Sequence, residues 1–124
     1  MPKTTNEHLA VFKKECERLI EKIGLHGWQD YYELSDEIVG ASTATCESFV
    51  ADRMVVFRLS SELFEDELTE EALLDHAMHE ILELLLARMH ALMLSRYVEP
   101  EEADEARHEV IHILRRLLKG VVLC

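Results

Sequence analysis

Histidine and glutamate side chains crowd into the stretch 76-HAMHEILE-83, which almost spells the H-E-x-x-H motif of zinc peptidases. Imidazole and carboxylate both bind zinc, and residues four apart on a helix project side by side, so His79 and Glu83 can hold one ion. Glu80 takes the position whose carboxylate is the general base in zinc hydrolases. The last motif position is a glutamate, which makes the predicted site harder and more anionic than one with two histidines.

These side chains share a narrow stripe if the segment is helical. At about 100° per residue, His76, His79 and Glu83 lie within roughly 60° of arc, with Glu80 at the edge. The stripe contains no Lys or Arg, whereas a solvated helix face usually mixes cations with acids. We therefore interpret it as a metal site in preference to an ordinary solvated face. The third ligand would come from another element, with three alternatives: Glu105, Glu109 and His108.

A complete copy of the motif occurs later, as 108-HEVIH-112. We interpret it as the weaker candidate for a zinc site, because a pattern with three fixed positions arises easily in a chain with 7 His and 25 acidic residues. Its helix must also bury Val110, Ile113 and Leu117. Burial of that face turns His108 and His112 outward.

Both His/Glu stripes require helices, and the sequence predicts secondary-structure elements in the order helix, strands, helix, helix. A first helix is predicted over residues 5–24, with a capping box of Thr4 and Glu7 and a stop at Gly24. Residues 28–60 are rich in aromatic and β-branched side chains. They predict short strands near 28–34, 38–47 and 53–59 in an antiparallel meander.

Two long helices are predicted to follow the strands. Thr69 caps one that runs to Tyr97, and Pro100 opens another that Gly120 closes. If they pack antiparallel, both His/Glu stripes border one cleft. The predicted fold class is α+β in a single domain over 1–124. It comprises an N-terminal helix within 1–27, a small antiparallel β-meander within 28–60 and two long C-terminal helices over 69–97 and 100–119.

Charge and cysteine content narrow the function classes. A formal net charge of −12 argues against binding nucleic acid through its phosphates. Cys16, Cys46 and Cys124 are odd in number and far apart, which favours a reducing cytoplasm over a disulfide framework. The N-terminus lacks an apolar signal core, and the apolar run from Met78 to Leu94 is interrupted by polar residues, so we expect no membrane span.

Residues 28–118 resemble a family of small, phage-encoded, zincin-like metallopeptidases. In that family an H-E-x-x-H helix continues as leucine-rich sequence through an Arg-Tyr pair to an acidic last helix. Here those elements read 79-HEILELLLARM-89, Arg96-Tyr97 and 101-EEADEARHEVIHILRRLL-118. The resemblance implies a minimal zincin-like fold, a zinc cofactor and a protein or peptide substrate.

The resemblance also implies a role for each matching residue. His79 would be the first zinc ligand, Glu80 the general base and an acid of the last helix, best matched by Glu109, the third ligand. Glu83 stands where the family has an imidazole, and His76, one turn earlier, could replace it. Because of this departure, we expect weak or absent peptidase activity.

Two other functions compete with a zincin-like hydrolase. A carboxylate–histidine di-metal protein is suggested by Glu105-x-x-His108 and Glu109-x-x-His112, although that architecture uses four helices. The other alternative is a non-enzymatic acidic interaction protein, whose His and Glu stripes would be ordinary surface. The sequence specifies neither a substrate nor an oligomeric state.

Overall fold

The order of the elements is the one predicted, and the α+β class is confirmed. The computed structural model describes residues 3–37 and 43–123, the last four as helical backbone only. The elements are α1 (Asn6–Ile23), β1 (Gln29–Ser35), β2 (Ala44–Phe49), β3 (Met54–Ser60), a short 3-10 helix (Glu65–Glu67), α2 (Glu70–Leu85), α3 (Ala87–Leu94) and α4 (Pro100–Leu123). They fall into two compact units, Met1–Leu84 and Leu85–Cys124, and the single domain stays a prediction.

α1 is capped one residue later than predicted. Thr5 Oγ1 accepts a hydrogen bond from the His8 amide at 3.2 Å, and His8 Nδ1 accepts one from the Thr5 amide at 2.9 Å. This reciprocal pair is a capping box built with a histidine. Thr4 is instead buried, and its hydroxyl donates to the Ser60 carbonyl at 2.7 Å. Gly24 ends the helix in the left-handed conformation, as predicted, with φ 90°.

The three strands form a mixed sheet in the order β1-β3-β2, so the predicted antiparallel meander is wrong in one pairing. β2 pairs antiparallel with β3, whereas β1 lies parallel to β3, with Gln29 opposite Met54. Parallel strands need a long crossover connection, and residues 36–53, which include β2, provide it. Residues 38–42 of the predicted second strand lie outside the described residues.

The apolar character of β3 explains why it takes the central place. Its alternate residues Val55, Phe57 and Leu59 are fully buried, and a central strand is covered by two neighbours. The helices of the first unit add further buried side chains to this core: Phe12, Cys16 and Leu19 from α1, and Leu73, Ala77, Ile81 and Leu84 from α2.

The helix predicted over 69–97 is interrupted at Leu86. Thr69 caps α2 as predicted, since its hydroxyl accepts a hydrogen bond from the Ala72 amide at 3.2 Å. Leu86 has φ −93° and ψ 1°, which breaks the regular backbone ladder, and α3 begins at the next residue. Neither proline nor glycine lies there, so local helix propensity contains no signal of the interruption.

The second unit is a helical hairpin of α3 and α4. The two helices enclose an apolar cleft of about 170 Å³, lined by Met89, Leu92, Met93, Val98, Ala103 and Ala106. The sequence predicted that α4 ends at Gly120, but the helix continues through Gly120 to Leu123. A glycine inside a helix costs only about 1 kcal/mol, so it does not by itself end one. Among the described residues, no helix is long and apolar enough to cross a membrane.

Candidate metal site

The exposed face of α2 brings His79 and Glu83 together, as their four-residue spacing predicted. His79 Nε2 lies 3.6 Å from Glu83 Oε1, and the two side chains are 70% and 60% exposed. Two ligands bound to one tetrahedral zinc at about 2.0–2.2 Å stand roughly 3.3–3.6 Å apart. The pair therefore fits two of the four ligand positions of a zinc ion, without rearrangement of the helix.

Glu80 points into the first unit, away from this exposed pair. The residue is only 6% exposed, although it neighbours His79 in sequence. Its position on the helix lies beside the buried Leu73 and Leu84. Burial raises the pKa of its carboxyl group to about 7, with a further increase from Glu83 and an opposing effect of His79. Glu80 can therefore hold or release a proton near neutral pH.

Two thiols share the surroundings of Glu80. Burial raises the pKa of both, that of Cys46 to about 12, and the negative charge of Glu80 raises them further. Cys16 belongs to α1 and Cys46 to β2, and both are free. The Glu80 carboxyl group thus lies where α1, β2 and α2 meet, in surroundings that favour its protonated form.

His76 has protein partners at both ring nitrogens. Nε2 lies 3.2 Å from the Glu67 carbonyl, which can only accept, so this nitrogen carries the proton. Nδ1 lies 3.4 Å from the Thr43 hydroxyl and can then accept from it. To bind a metal ion, His76 would have to exchange one of these partners for it.

Glu109, the third ligand implied by the resemblance, is engaged within the second unit. Its carboxylate accepts a hydrogen bond from Arg88 Nη1 at 2.8 Å, and Arg88 Nη2 also lies 3.4 Å from Glu105. Two of the three ligand candidates on α4 are therefore paired with one guanidinium of α3. The sequence alone predicts free ligands at these positions and indicates no partner for Arg88.

The second motif, 108-HEVIH-112, forms an exposed pair of imidazoles on α4. The ring centroids of His108 and His112 lie 6.5 Å apart with an interplanar angle of 39°. His108 Nδ1 lies 2.8 Å from the Asp104 carbonyl. Both rings are on the side of α4 that the sequence predicted to face outward.

The structure therefore assembles one of the predicted ligand pairs on α2. Across residues 3–37 and 43–123, no group of three or more His, Cys, Asp or Glu side chains has the arrangement of a metal site. A groove of the first unit measures about 610 Å³ and contains none of the four predicted ligands; its lining is Glu15, Glu71, Ala72, Leu74, Asp75 and Met78. An ion at His79 and Glu83 would thus be held by two ligands of α2, with its other positions open.

Burial of Glu80 could have been foreseen from the sequence. Leu73 and Leu84 lie within about 40° of its position on the helical wheel, on the apolar side, so the polar stripe is narrower than predicted. The partners of His76 and Glu109 could not have been foreseen, because each depends on contacts between elements. Comparison with family models, with curated proteins and with solved structures found no match for this chain.

Proposed function

We propose that this protein binds a zinc-type divalent ion through His79 and Glu83 and is a zincin-like metallohydrolase with weak or no peptidase activity. The observation that supports this most is the 3.6 Å separation of His79 Nε2 and Glu83 Oε1 on the exposed face of α2. The ion would supply Lewis acidity to a protein or peptide substrate.

Two features of the chain support weak activity. Glu83 contributes a negative charge where the related motif has a neutral imidazole, which lowers the Lewis acidity of a bound ion. Glu80, in the motif position of the general base, is buried, and its carboxyl group has a pKa of about 7. At neutral pH, a large share of the protein molecules would carry a proton on the Glu80 carboxyl group. A protonated carboxyl group could not accept another proton.

The resemblance to phage-encoded proteins also supports a phage or prophage origin, with the host cytoplasm as the compartment. Cys16 and Cys46 are free thiols, as is usual for proteins of a reducing compartment.

Zinc titration of the chelator-treated, untagged protein tests metal binding. A ligand that binds the native state raises the melting temperature, so zinc should raise that of the parent. His79→Ala and Glu83→Gln should each reduce the rise. His26→Ala is the matched control, because His26 is exposed in the turn after α1 and has no part in the site. A parent protein whose melting temperature does not respond to zinc well above micromolar concentration would sink the proposal.

Glu83→His tests the motif itself. A second imidazole in place of the carboxylate should tighten zinc binding by about tenfold or more, which is roughly 1.4 kcal/mol. Calorimetric titration measures the affinity, and casein hydrolysis measures any activity gained. Glu80→Gln in the same background should keep the zinc and remove that activity. Unchanged zinc affinity in Glu83→His would show that position 83 is not a ligand.

Exposed apolar side chains favour a second candidate function, an acidic interaction protein. Ile111, Leu114 and Leu118 of α4 are 41%, 41% and 60% exposed, and they share one side of the helix. Such a stripe is more apolar than a solvated helix face usually is. The zinc titration separates the two functions, because the interaction protein requires no response to zinc.

A further inference from the structure

His108 and His112 occupy the side of α4 opposite its apolar face. Ala106 is buried and Val110 and Ile113 are half-buried, whereas both histidines are exposed. The two histidines are one helical turn apart, so their side chains project in nearly the same direction. This pair plays no part in the proposed function, which uses His79 and Glu83.

The hydrogen bond of His108 prepares its ring for a metal ion. Nδ1 lies 2.8 Å from the Asp104 carbonyl, which can only accept, so Nδ1 carries the proton and donates. The lone pair is then on Nε2, the nitrogen farther from the backbone. Metal-binding histidines almost always donate their other ring N–H to a carbonyl or carboxylate in this way.

The charged neighbours of the pair determine which ions it suits. Glu109 is bound to Arg88, which offsets its charge, and the Asp104 carboxylate lies 3.4 Å from Arg107. Arg115 follows one turn after His112 and repels cations. Hard ions such as Mg²⁺ and Ca²⁺ need carboxylates, whereas Ni²⁺, Cu²⁺ and Zn²⁺ bind neutral imidazole.

We propose that His108 and His112 form a second metal site, a two-imidazole clamp on α4 for a divalent transition-metal ion of the Ni²⁺, Cu²⁺ and Zn²⁺ class. One ion at about 2.0–2.1 Å from both Nε2 atoms would bring the ring centroids to roughly 5 Å. They lie 6.5 Å apart without an ion. Rotation of two exposed side chains closes that difference, and the remaining coordination positions face solvent.

Nickel titration followed by NMR tests the clamp on the full, untagged, chelator-treated chain. Paramagnetic Ni²⁺ broadens the signals of nearby nuclei, so the imidazole signals of His108 and His112 should disappear at a lower Ni²⁺ concentration than those of His26 and His90. His26 and His90 are exposed, and neither has another histidine three or four residues away in the sequence, so they report binding by a single imidazole. Equal broadening of all four rings would overturn the clamp.

Calorimetry with Ni²⁺ in a His79→Ala background, which removes the site on α2, isolates the clamp. The His79→Ala protein should retain a Ni²⁺ binding event, and His108→Ala or His112→Ala added to that background should each abolish it. Both substitutions on α4 are exposed and place alanine in a helix, so circular dichroism should show an unchanged fold. Binding that survives both substitutions, or that His79→Ala also removes, would contradict a separate site. The proposed function can fail in the zinc experiment without affecting this result.

A spacing control keeps the number of imidazoles constant. The double variant His112→Ala/Arg115→His places a ring seven residues after His108, roughly 10.5 Å along the helix, where the two cannot hold one ion. It should bind Ni²⁺ no better than His112→Ala alone. Restored binding would mean that the histidines act singly, and the clamp would be wrong.

Discussion

The buried carboxyl group of Glu80 links the stability of the protein to pH. Burial raises its pKa from 4.5 to about 7, so the native state binds this proton more tightly than the unfolded chain does. The stability that it contributes is complete below pH 4.5 and is lost as pH rises through about 7. That shift corresponds to up to about 3 kcal/mol.

Glu80→Gln should therefore stabilise the metal-free protein at about pH 8 and flatten its stability between about pH 4.5 and 7. Glutamine has nearly the same shape but no charge to desolvate. Urea unfolding at several pH values measures the difference, which should reach up to about 3 kcal/mol at the alkaline end. The matched control is Glu83→Gln, because that side chain is 60% exposed. Parallel pH profiles for the parent and Glu80→Gln would contradict this expectation.

The residues of the candidate site were predictable only where one helix positions them. His79 and Glu83 meet because they are four apart, and helical geometry alone requires that. The orientation of Glu80 follows from the same geometry, once the buried face is centred on Leu73 and Leu84. The hydrogen bonds of His76 to Thr43 and Glu67 join parts of the chain that no local pattern connects.

At the scale of elements, ion pairs of Arg88 link α3 to α4. Its guanidinium contacts Glu109 at 2.8 Å and Glu105 at 3.4 Å. The Arg88 side chain is 26% exposed and that of Glu109 is 40% exposed, so the pair is partly shielded from water. Partly exposed pairs contribute little, and we expect about 0.5–1 kcal/mol from this one.

A double-mutant cycle with Arg88→Met and Glu109→Gln measures that contribution. The coupling free energy from urea unfolding should be about 0.5–1 kcal/mol and should shrink as salt is added. The pair of Arg107 and Asp104 is the control, since those side chains are 56% and 69% exposed at 3.4 Å and should show almost no coupling. A salt-independent coupling for Arg88 would point to packing instead of charge.

Capping signals made the elements themselves largely predictable. Gly24 ends α1 and Thr69 caps the start of α2, as expected. Each acts through its own backbone or through residues three or four positions away. The pairing of β1 with β3 was not predictable in the same way. Strand neighbours depend on which strand is most deeply buried, and a nearest-neighbour rule favours the meander.

At the scale of the whole molecule, the net charge of −12 opposes compaction. Like charges repel at short range in the native state, and salt reduces the distance over which they act from about 30 Å at 0.01 M to about 8 Å at 0.15 M. Potassium chloride should therefore raise the melting temperature of the metal-free protein.

The double variant Glu17→Gln/Glu21→Gln is the test of that explanation. Both residues are exposed on α1, and their replacement changes the net charge from −12 to −10, since each removes one negative charge. The variant should melt at a higher temperature than the parent at low salt and gain less from added salt. An equal gain would show that salt acts on something other than net charge.

The parallel pairing of β1 with β3 has a consequence for folding during synthesis on the ribosome. α1 and β1 leave the ribosome before β3, yet β1 pairs with β3 in the part of the chain that the structure describes, and Thr4 binds the backbone of Ser60, 56 residues later. β1 must therefore wait unpaired until the residues through Ser60 have emerged. Contacts between residues so far apart in sequence form slowly, so this sheet closes late, around the β2–β3 hairpin.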